Sequence, residues 1–185
     1  IKTLGFRGEA LASIGSVSRM TMTSRSEQES DGSRIVVEGG KIVSVEKRGV
    51  PAGTVVTVAD LFYNTPARLK FLKRDQTERQ QIEIMVTRYA LAYPQLAIQL
   101  EMDGKQVFRT TGNGNRREIL VELYGFELAK QLLEVIFEDE GVRISGFISP
   151  ISVTRSNRRE ITFFVNGRWI QDIALSSALV KAYQT

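Results

Sequence analysis

Gly5-Phe6-Arg7-Gly8-Glu9-Ala10-Leu11-Ala12-Ser13-Ile14 joins two glycines, three residues apart, to the opening of an amphipathic helix with no strand between them. Glycine adopts positive backbone angles without a Cβ penalty and lets a ligand approach the main chain closely. The helix expected from about Glu9 through Ile14 and Val17 adds the unpaired N–H donors and partial positive charge of its first turn. Gly8, Glu9, Ala10 and Leu11 therefore read as an anion cradle suited to a phosphate chain. Taken alone, the same turn is an ordinary approach to a helix. Its neighbours along the chain decide between the two.

Reading outward, the next distinctive words are Gly53-Thr54 and then Asp60-Leu61-Phe62-Tyr63-Asn64-Thr65-Pro66-Ala67-Arg68-Leu69-Lys70-Phe71-Leu72. Phe164-Val165-Asn166-Gly167-Arg168 follows much later. Between these words the pattern is mixed helix and strand. Arg19 to Ser24 alternates Met20 and Met22 with polar neighbours, as a half-buried strand does. Arg34 to Glu38 and Lys41 to Glu46 flank Gly39-Gly40, a hairpin turn. Gly53 to Val58 reads as a further strand. Pro66 opens a short helix, where its missing N–H costs nothing. Ile82, Met85, Val86, Tyr89, Ala90 and Tyr93 recur at helical spacing until Pro94 stops the pattern. Ala97 to Met102 and Gln106 to Arg109 form a hairpin about Asp103-Gly104.

Thr110 to Asn115 is a run of small polar residues expected to bury nothing, and the domain boundary is placed there: 1–112, then 113–185. The second domain reads as a helix (Arg117 to Tyr124), a leucine-rich segment (Leu128 to Leu133) and a hairpin across Glu140-Gly141. A basic loop (Thr154 to Arg159), a strand (Ile161 to Val165), an Asn-Gly turn and a helix from about Asp172 to Tyr183 complete it.

Composition narrows the function. The 185 residues contain no cysteine and no histidine, which removes disulfides, zinc fingers, cysteine nucleophiles and histidine triads together. Hydrophobic residues make up 42% and charged residues 25%, a globular balance without an apolar run of membrane-spanning length. No membrane partner is expected. The chain opens at Ile1 without an initiator methionine and directly before its first motif, so it is expected to be a fragment. There is no Gly-x-x-x-x-Gly-Lys-Ser/Thr, which argues against a P-loop site.

The net charge is +4, and its placement is uneven. From Gly141 to Thr185 there are six Lys/Arg against two acids, and the other 140 residues hold 19 of each. The excess gathers around Arg155, Arg158, Arg159 and Arg168, and clustered guanidinium groups suit phosphate contacts. These four are the candidate DNA-binding residues, although such a cluster is commonly a solvated loop. Trp169, beside Arg168, is expected in the core next to Phe163 and Val165 rather than as a base-stacking platform.

The series running from Gly5 to Leu11, through Leu61 to Arg68, to Asn166-Gly167-Arg168 resembles the amino-terminal ATPase region of the MutL family of DNA mismatch repair proteins. The resemblance covers essentially the whole chain. It implies an α+β fold: a GHKL (Bergerat-type) α/β sandwich, incomplete at its N-terminus, followed by an α/β transducer domain like that of gyrase B. It also implies ATP as ligand, held by Gly5, Phe6, Arg7, Gly8, Glu9, Ala10 and Leu11 at the hinge of a mobile lid and by Thr54 on the adenine side. The Asn64 to Arg68 block reads as architecture, a strand-to-helix corner built by turn and capping chemistry.

The family's general base, magnesium-binding asparagine and adenine loop belong to segments upstream of Ile1, and its phosphate-binding lysine lies beyond Thr185. The chain alone is therefore expected to be catalytically inactive, with no catalytic or Mg2+ ligand residue of its own. Glu9 is read as a helix-start acid rather than a base. For the parent protein the resemblance implies an ATPase in which ATP closes the lid, drives dimerisation of homo- or heterodimeric subunits and clamps DNA. That step couples a mismatch-recognition protein to downstream repair enzymes, in the bacterial cytoplasm at the nucleoid or in a eukaryotic nucleus. The alternative is a non-enzymatic nucleic-acid or protein-interaction module.

Overall fold

The computed structural model describes residues 8–154, 158 and 160–184. It forms two compact units, Ile1–Arg74 and Asp75–Thr185.

The first unit opens with helix α1 (Ala10–Gly15), which ends two residues short of Val17 and leads through the turn Ser16 to Ser18 into strand β1 (Arg19–Arg25). Strands β2 (Gly32–Glu38), β3 (Lys41–Arg48) and β4 (Gly53–Ala59) complete a sheet ordered β3-β2-β1-β4, antiparallel at every step. Met20 is buried on β1, as the alternation expects, but Thr21 through Arg25 are all half-buried, so burial along the strand does not alternate. Glu38 faces Lys41 across the expected two-glycine turn, with Gly39 at φ +56° and Gly40 at φ +85°. A Cβ on Gly39 would stand 2.7 Å from the Tyr63 hydroxyl, so the tight approach as well as the angle calls for glycine.

After β4 comes a corner whose residues Asp60 (φ +50°) and Phe62 (φ +67°) occupy the left-handed region. Non-glycine residues there cost of order 1–3 kcal/mol each. Tyr63 N–H donates to Asp60 O and Thr65 N–H to Phe62 O, which folds the segment tightly before α2 (Pro66–Leu69). Proline stands at the start of α2, as expected. One part of the capping expectation is corrected. The side chain of Thr65 makes no cap hydrogen bond, and its hydroxyl is buried without a partner.

In the second unit, α3 (Asp75–Ala92) is followed by the hairpin β5 (Gln99–Met102) and β6 (Lys105–Arg109), turning on Asp103 (φ +51°) and Gly104 (φ +71°). The helix is real, but its apolar stripe divides. Thr87 and Ala90 are buried with Val86 and Leu91 beside them, whereas Ile82, Met85 and Tyr89 are exposed. Small residues on the inner face allow close packing, and Ala90 joins Phe108 of β6 and Ile119 of α4 (Arg116–Tyr124) in the core.

The expectation that Thr110 to Asn115 buries nothing is also corrected. The Thr110 hydroxyl is buried, accepts from Ile98 N–H at 3.0 Å and donates to Leu96 O at 3.0 Å. Gly114 N–H donates to Pro94 O. Side-chain and backbone hydrogen bonds thus pin a segment whose composition reads as linker. The segment lies inside the second unit, and the units part between Arg74 and Asp75.

Asn115 caps α4 by accepting from Arg117 N–H, and α5 (Phe126–Gln131) takes the place of the leucine-rich segment. Strands β7 (Leu133–Asp139) and β8 (Val142–Ile148) form the expected hairpin across Glu140-Gly141. A short pair, β9 (Phe163–Val165) and β10 (Arg168–Ile170), turns on Asn166-Gly167. Helix α6 (Ile173–Ala182) closes the chain, capped by Asp172, whose carboxylate accepts from Leu175 N–H at 2.8 Å.

Candidate nucleotide and polyanion sites

Gly8 lies at φ +66°, immediately before the N-cap of α1, and a Cβ built there would meet nothing within 4 Å. Gly8 through Ile14 are exposed. Of the seven-residue candidate cradle, Gly8, Glu9, Ala10 and Leu11 are described; Gly5, Phe6 and Arg7 lie outside the described residues. The side chain of Glu9 makes no cap bond to the helix.

What holds this helix start is at its other end. Gly40 N–H donates to Gly15 O at 2.9 Å and Gly39 N–H to Ser18 O at 3.1 Å, tying α1 to the β2–β3 turn. Phe62 N–H donates to Val17 O at 2.6 Å, and the Asn64 side-chain amide donates to Ser16 O at 2.9 Å. Arg19 pairs with Asp60, and its guanidinium carbon stands 4.6 Å from the Tyr63 ring centroid. The hydrogen bond and charge of Asp60 hold the Arg19 guanidinium still more firmly protonated than usual. The Leu61 to Thr65 corner thus fastens the loop between α1 and β1 to the sheet.

Thr54 sits on β4 opposite Ser24, and their hydroxyl oxygens are 2.8 Å apart. It is exposed. Ser24 is five residues along β1 from Arg19, roughly 17 Å at the rise of an extended strand, so β1 separates Thr54 from the loop that follows α1.

Of the arginine cluster, Arg158 and Arg168 are described and exposed, whereas Arg155 and Arg159 lie outside the described residues. Arg168 opens β10 directly after Asn166 (φ +50°) and Gly167 (φ +77°). The expectation that Trp169 belongs to the core is corrected: it is 41% exposed, and the Arg88 guanidinium carbon lies 4.0 Å from its ring centroid. On a strand only three residues long, the neighbouring Phe163 and Val165 cannot enclose an indole. Sequence reasoning passed over Arg19 and Arg88, and named Asn64 and Tyr93 without their partners Ser16 and Gly167. The signal for Asn64 was its place in the Leu61 to Arg68 block; Tyr93 read as one more apolar helix position. Among the described residues, no group of three or more acidic, cysteine or histidine side chains is placed to hold a metal ion. No helix among them is long and apolar enough to cross a membrane.

An antiparallel sheet entered through a glycine-led helix and followed by a second α/β unit fits the class that the resemblance implies, a GHKL ATPase fold with a transducer-like region. Comparison with known proteins agrees. A family model described as "DNA mismatch repair protein, C-terminal domain" matches residues 120–185. The DNA mismatch repair protein MutL of Agathobacter rectalis is 43% identical over 185 residues, which is 100% of this chain and 28% of that protein. MutL of Lactococcus lactis subsp. cremoris is 41% identical over 183 residues, 99% of this chain and 28% of that protein. Among solved structures, the Aquifex aeolicus MutL ATPase domain complexed with ADP superposes with a TM-score of 0.79 at 34% identity, covering 95% of this chain and 68% of that one. A structure described as the N-terminal domain of a DNA repair protein shares the fold, with a TM-score of 0.80 at 22% identity, over 100% of this chain and 61% of that one.

The chain belongs to the MutL family of DNA mismatch repair proteins. It spans about 28% of the length of the curated relatives it matches.

Proposed function

We propose that this chain is the nucleotide-responsive part of a MutL-type mismatch repair ATPase. In the longer protein, Gly5 to Leu11 hinge a lid and hold the phosphates of ATP, while Thr54 faces the adenine side. The observation that carries this reading is Gly8 at positive φ, open to solvent, immediately before α1, in a chain 34% identical to an ATPase domain solved with ADP. Mg2+ accompanies the nucleotide and takes its protein ligand from outside this chain. So do the general base and the terminal-phosphate lysine, which leaves the 185 residues alone without hydrolytic activity. The functional border between nucleotide and transducer domains lies at 112/113. The family match beginning at residue 120 supports it.

ATP acts by population shift: it binds the closed, associated state more tightly than the open one, and the difference in affinity sets how far the equilibrium moves. Closure pairs two amino-terminal regions, as a homodimer or heterodimer, around DNA. Arg155, Arg158, Arg159 and Arg168 meet its phosphates. Hydrolysis resets the clamp, and the cycle couples a mismatch-recognition protein to downstream repair enzymes. The curated relatives named above are bacterial, which supports a cytoplasmic, nucleoid-associated setting.

Sedimentation of the longer protein tests the switch. A non-hydrolysable ATP analogue with Mg2+ converts monomeric amino-terminal regions to dimers in the native sequence and does so poorly in Gly8→Ala. Association that ignores nucleotide in both would overturn the switch and leave a non-enzymatic binding module.

A further inference from the structure

The β9–β10 hairpin is held by two residues of α3 and its end. The Tyr93 hydroxyl, part-buried, donates to Gly167 O at 3.1 Å across 74 residues of sequence. Gly167, at φ +77°, lies hard against that phenol: a Cβ there would stand 2.6 Å from the Tyr93 hydroxyl oxygen and 3.1 Å from Cζ. The turn therefore admits glycine for two reasons, its backbone angle and the ring pressed on its Cα. Two residues further on, Trp169 lies beneath the Arg88 guanidinium, 4.0 Å from ring centroid to Cζ. Arg168 stands between these two fastenings, exposed and paired in register with Val165.

We propose that Tyr93 is a positioning residue for polyanion binding: by fixing the Gly167 carbonyl it sets the backbone from which Arg168 reaches phosphate. The inference rests on the DNA-phosphate reading of Arg168 given above. Its physical basis is the marginal stability of a two-stranded hairpin on its own. With strands of three residues, the ladder cannot by itself define where Arg168 points. An arginine on an unfixed backbone loses more freedom on meeting a phosphate, because main-chain ordering is added to the side chain's own entropy loss. The phenol removes the main-chain part of that cost beforehand, as preorganisation does.

The test uses the 185-residue chain, a short duplex DNA and binding isotherms across a salt series. Arg168→Gln lowers the steepness of log affinity against log salt by roughly 0.9, one phosphate contact on duplex DNA. Tyr93→Phe keeps the ring and removes the hydroxyl; it weakens binding and lowers the slope in the same direction. The double variant does no more than Arg168→Gln alone. A merely structural role for Tyr93 would reduce the folded fraction and weaken binding without moving the slope. If circular dichroism shows Tyr93→Phe partly unfolded, its isotherms are taken at a lower temperature at which it is folded, and the same slope loss is expected.

A normal slope in folded Tyr93→Phe, with effects that add in the double variant, overturns the positioning role while the DNA reading stands. An unchanged slope in Arg168→Gln overturns both.

Discussion

The Asn64 side-chain amide donates to the main-chain carbonyl of Ser16 at 2.9 Å, joining the end of α1 to a corner 48 residues later. Ser16 is the C-cap of α1, so this bond sets how the helix leaves the sheet and therefore where its first turn stands. Asn64→Ala removes one donor at an exposed site, a loss of about 0.5–1.5 kcal/mol. Native-state hydrogen exchange shows the effect: the Ser16 and Val17 amides, bonded to Ala12 O and Ile14 O, lose protection while those of β7 and β8 do not. Equal loss in both places would mean that the corner serves stability alone.

Thr110 makes a sharper prediction because it is buried. Thr110→Val leaves Ile98 N–H without the hydroxyl that accepts from it, and an orphaned buried donor costs about 1–3 kcal/mol. Thr110→Ser keeps the hydroxyl and much of the stability. Fluorescence of Trp169, the single tryptophan, follows urea unfolding of the unit to which Thr110 belongs. Equal midpoints for the valine and serine variants would refute the hydroxyl's role.

Arg79 lowers the Asp103 carboxyl below its ordinary range, first through a side-chain hydrogen bond and then through its charge. A depressed folded-state value means the pair stabilises the fold above the ordinary aspartate pKa of about 3.9. That contribution is lost as pH falls through the folded value. Both side chains are exposed, so the effect is small and salt weakens it. NMR titration should give Asp103 a midpoint below the ordinary value in the native sequence and nearer to it in Arg79→Gln. Identical midpoints would contradict the pairing.

Much of this architecture was legible in local chemistry. Two-residue turns at Gly39-Gly40, Asp103-Gly104, Glu140-Gly141 and Asn166-Gly167 all take positive φ, because adjoining strands demand it and few residues supply it. Helix limits followed from Pro66, Pro94 and the Asp172 cap. The failures share a different cause: long-range packing, which periodicity does not encode. Thr110 to Asn115 reads as linker by composition, yet its hydroxyl and amides find partners between Pro94 and Ile98. Trp169 reads as core by type, yet its short strand leaves it under Arg88. The stripe from Ile82 to Tyr93 names a helix without saying which half faces inward; the small side chains of Thr87 and Ala90 decide that.

At the candidate sites, residue types located the glycine turn before α1 and the Asn-Gly-Arg turn. The residues that fix their positions were hidden, since the partners of Asn64 and Tyr93 lie 48 and 74 residues away.

The central claim, that Gly8 and the start of α1 hold a phosphate chain, is tested most directly by titrating a non-hydrolysable ATP analogue into the longer protein by calorimetry, native against Gly8→Ala. Gly8 sits at φ +66° with open space around it, so the methyl group fits but the left-handed backbone costs about 1–2 kcal/mol. Because the exposed turn can relax in the free variant and must return to positive φ to meet the phosphates, the account predicts affinity weakened by about 5- to 30-fold with Mg2+ present and the melting of the protein little changed. Undiminished affinity in a folded Gly8→Ala protein would contradict it.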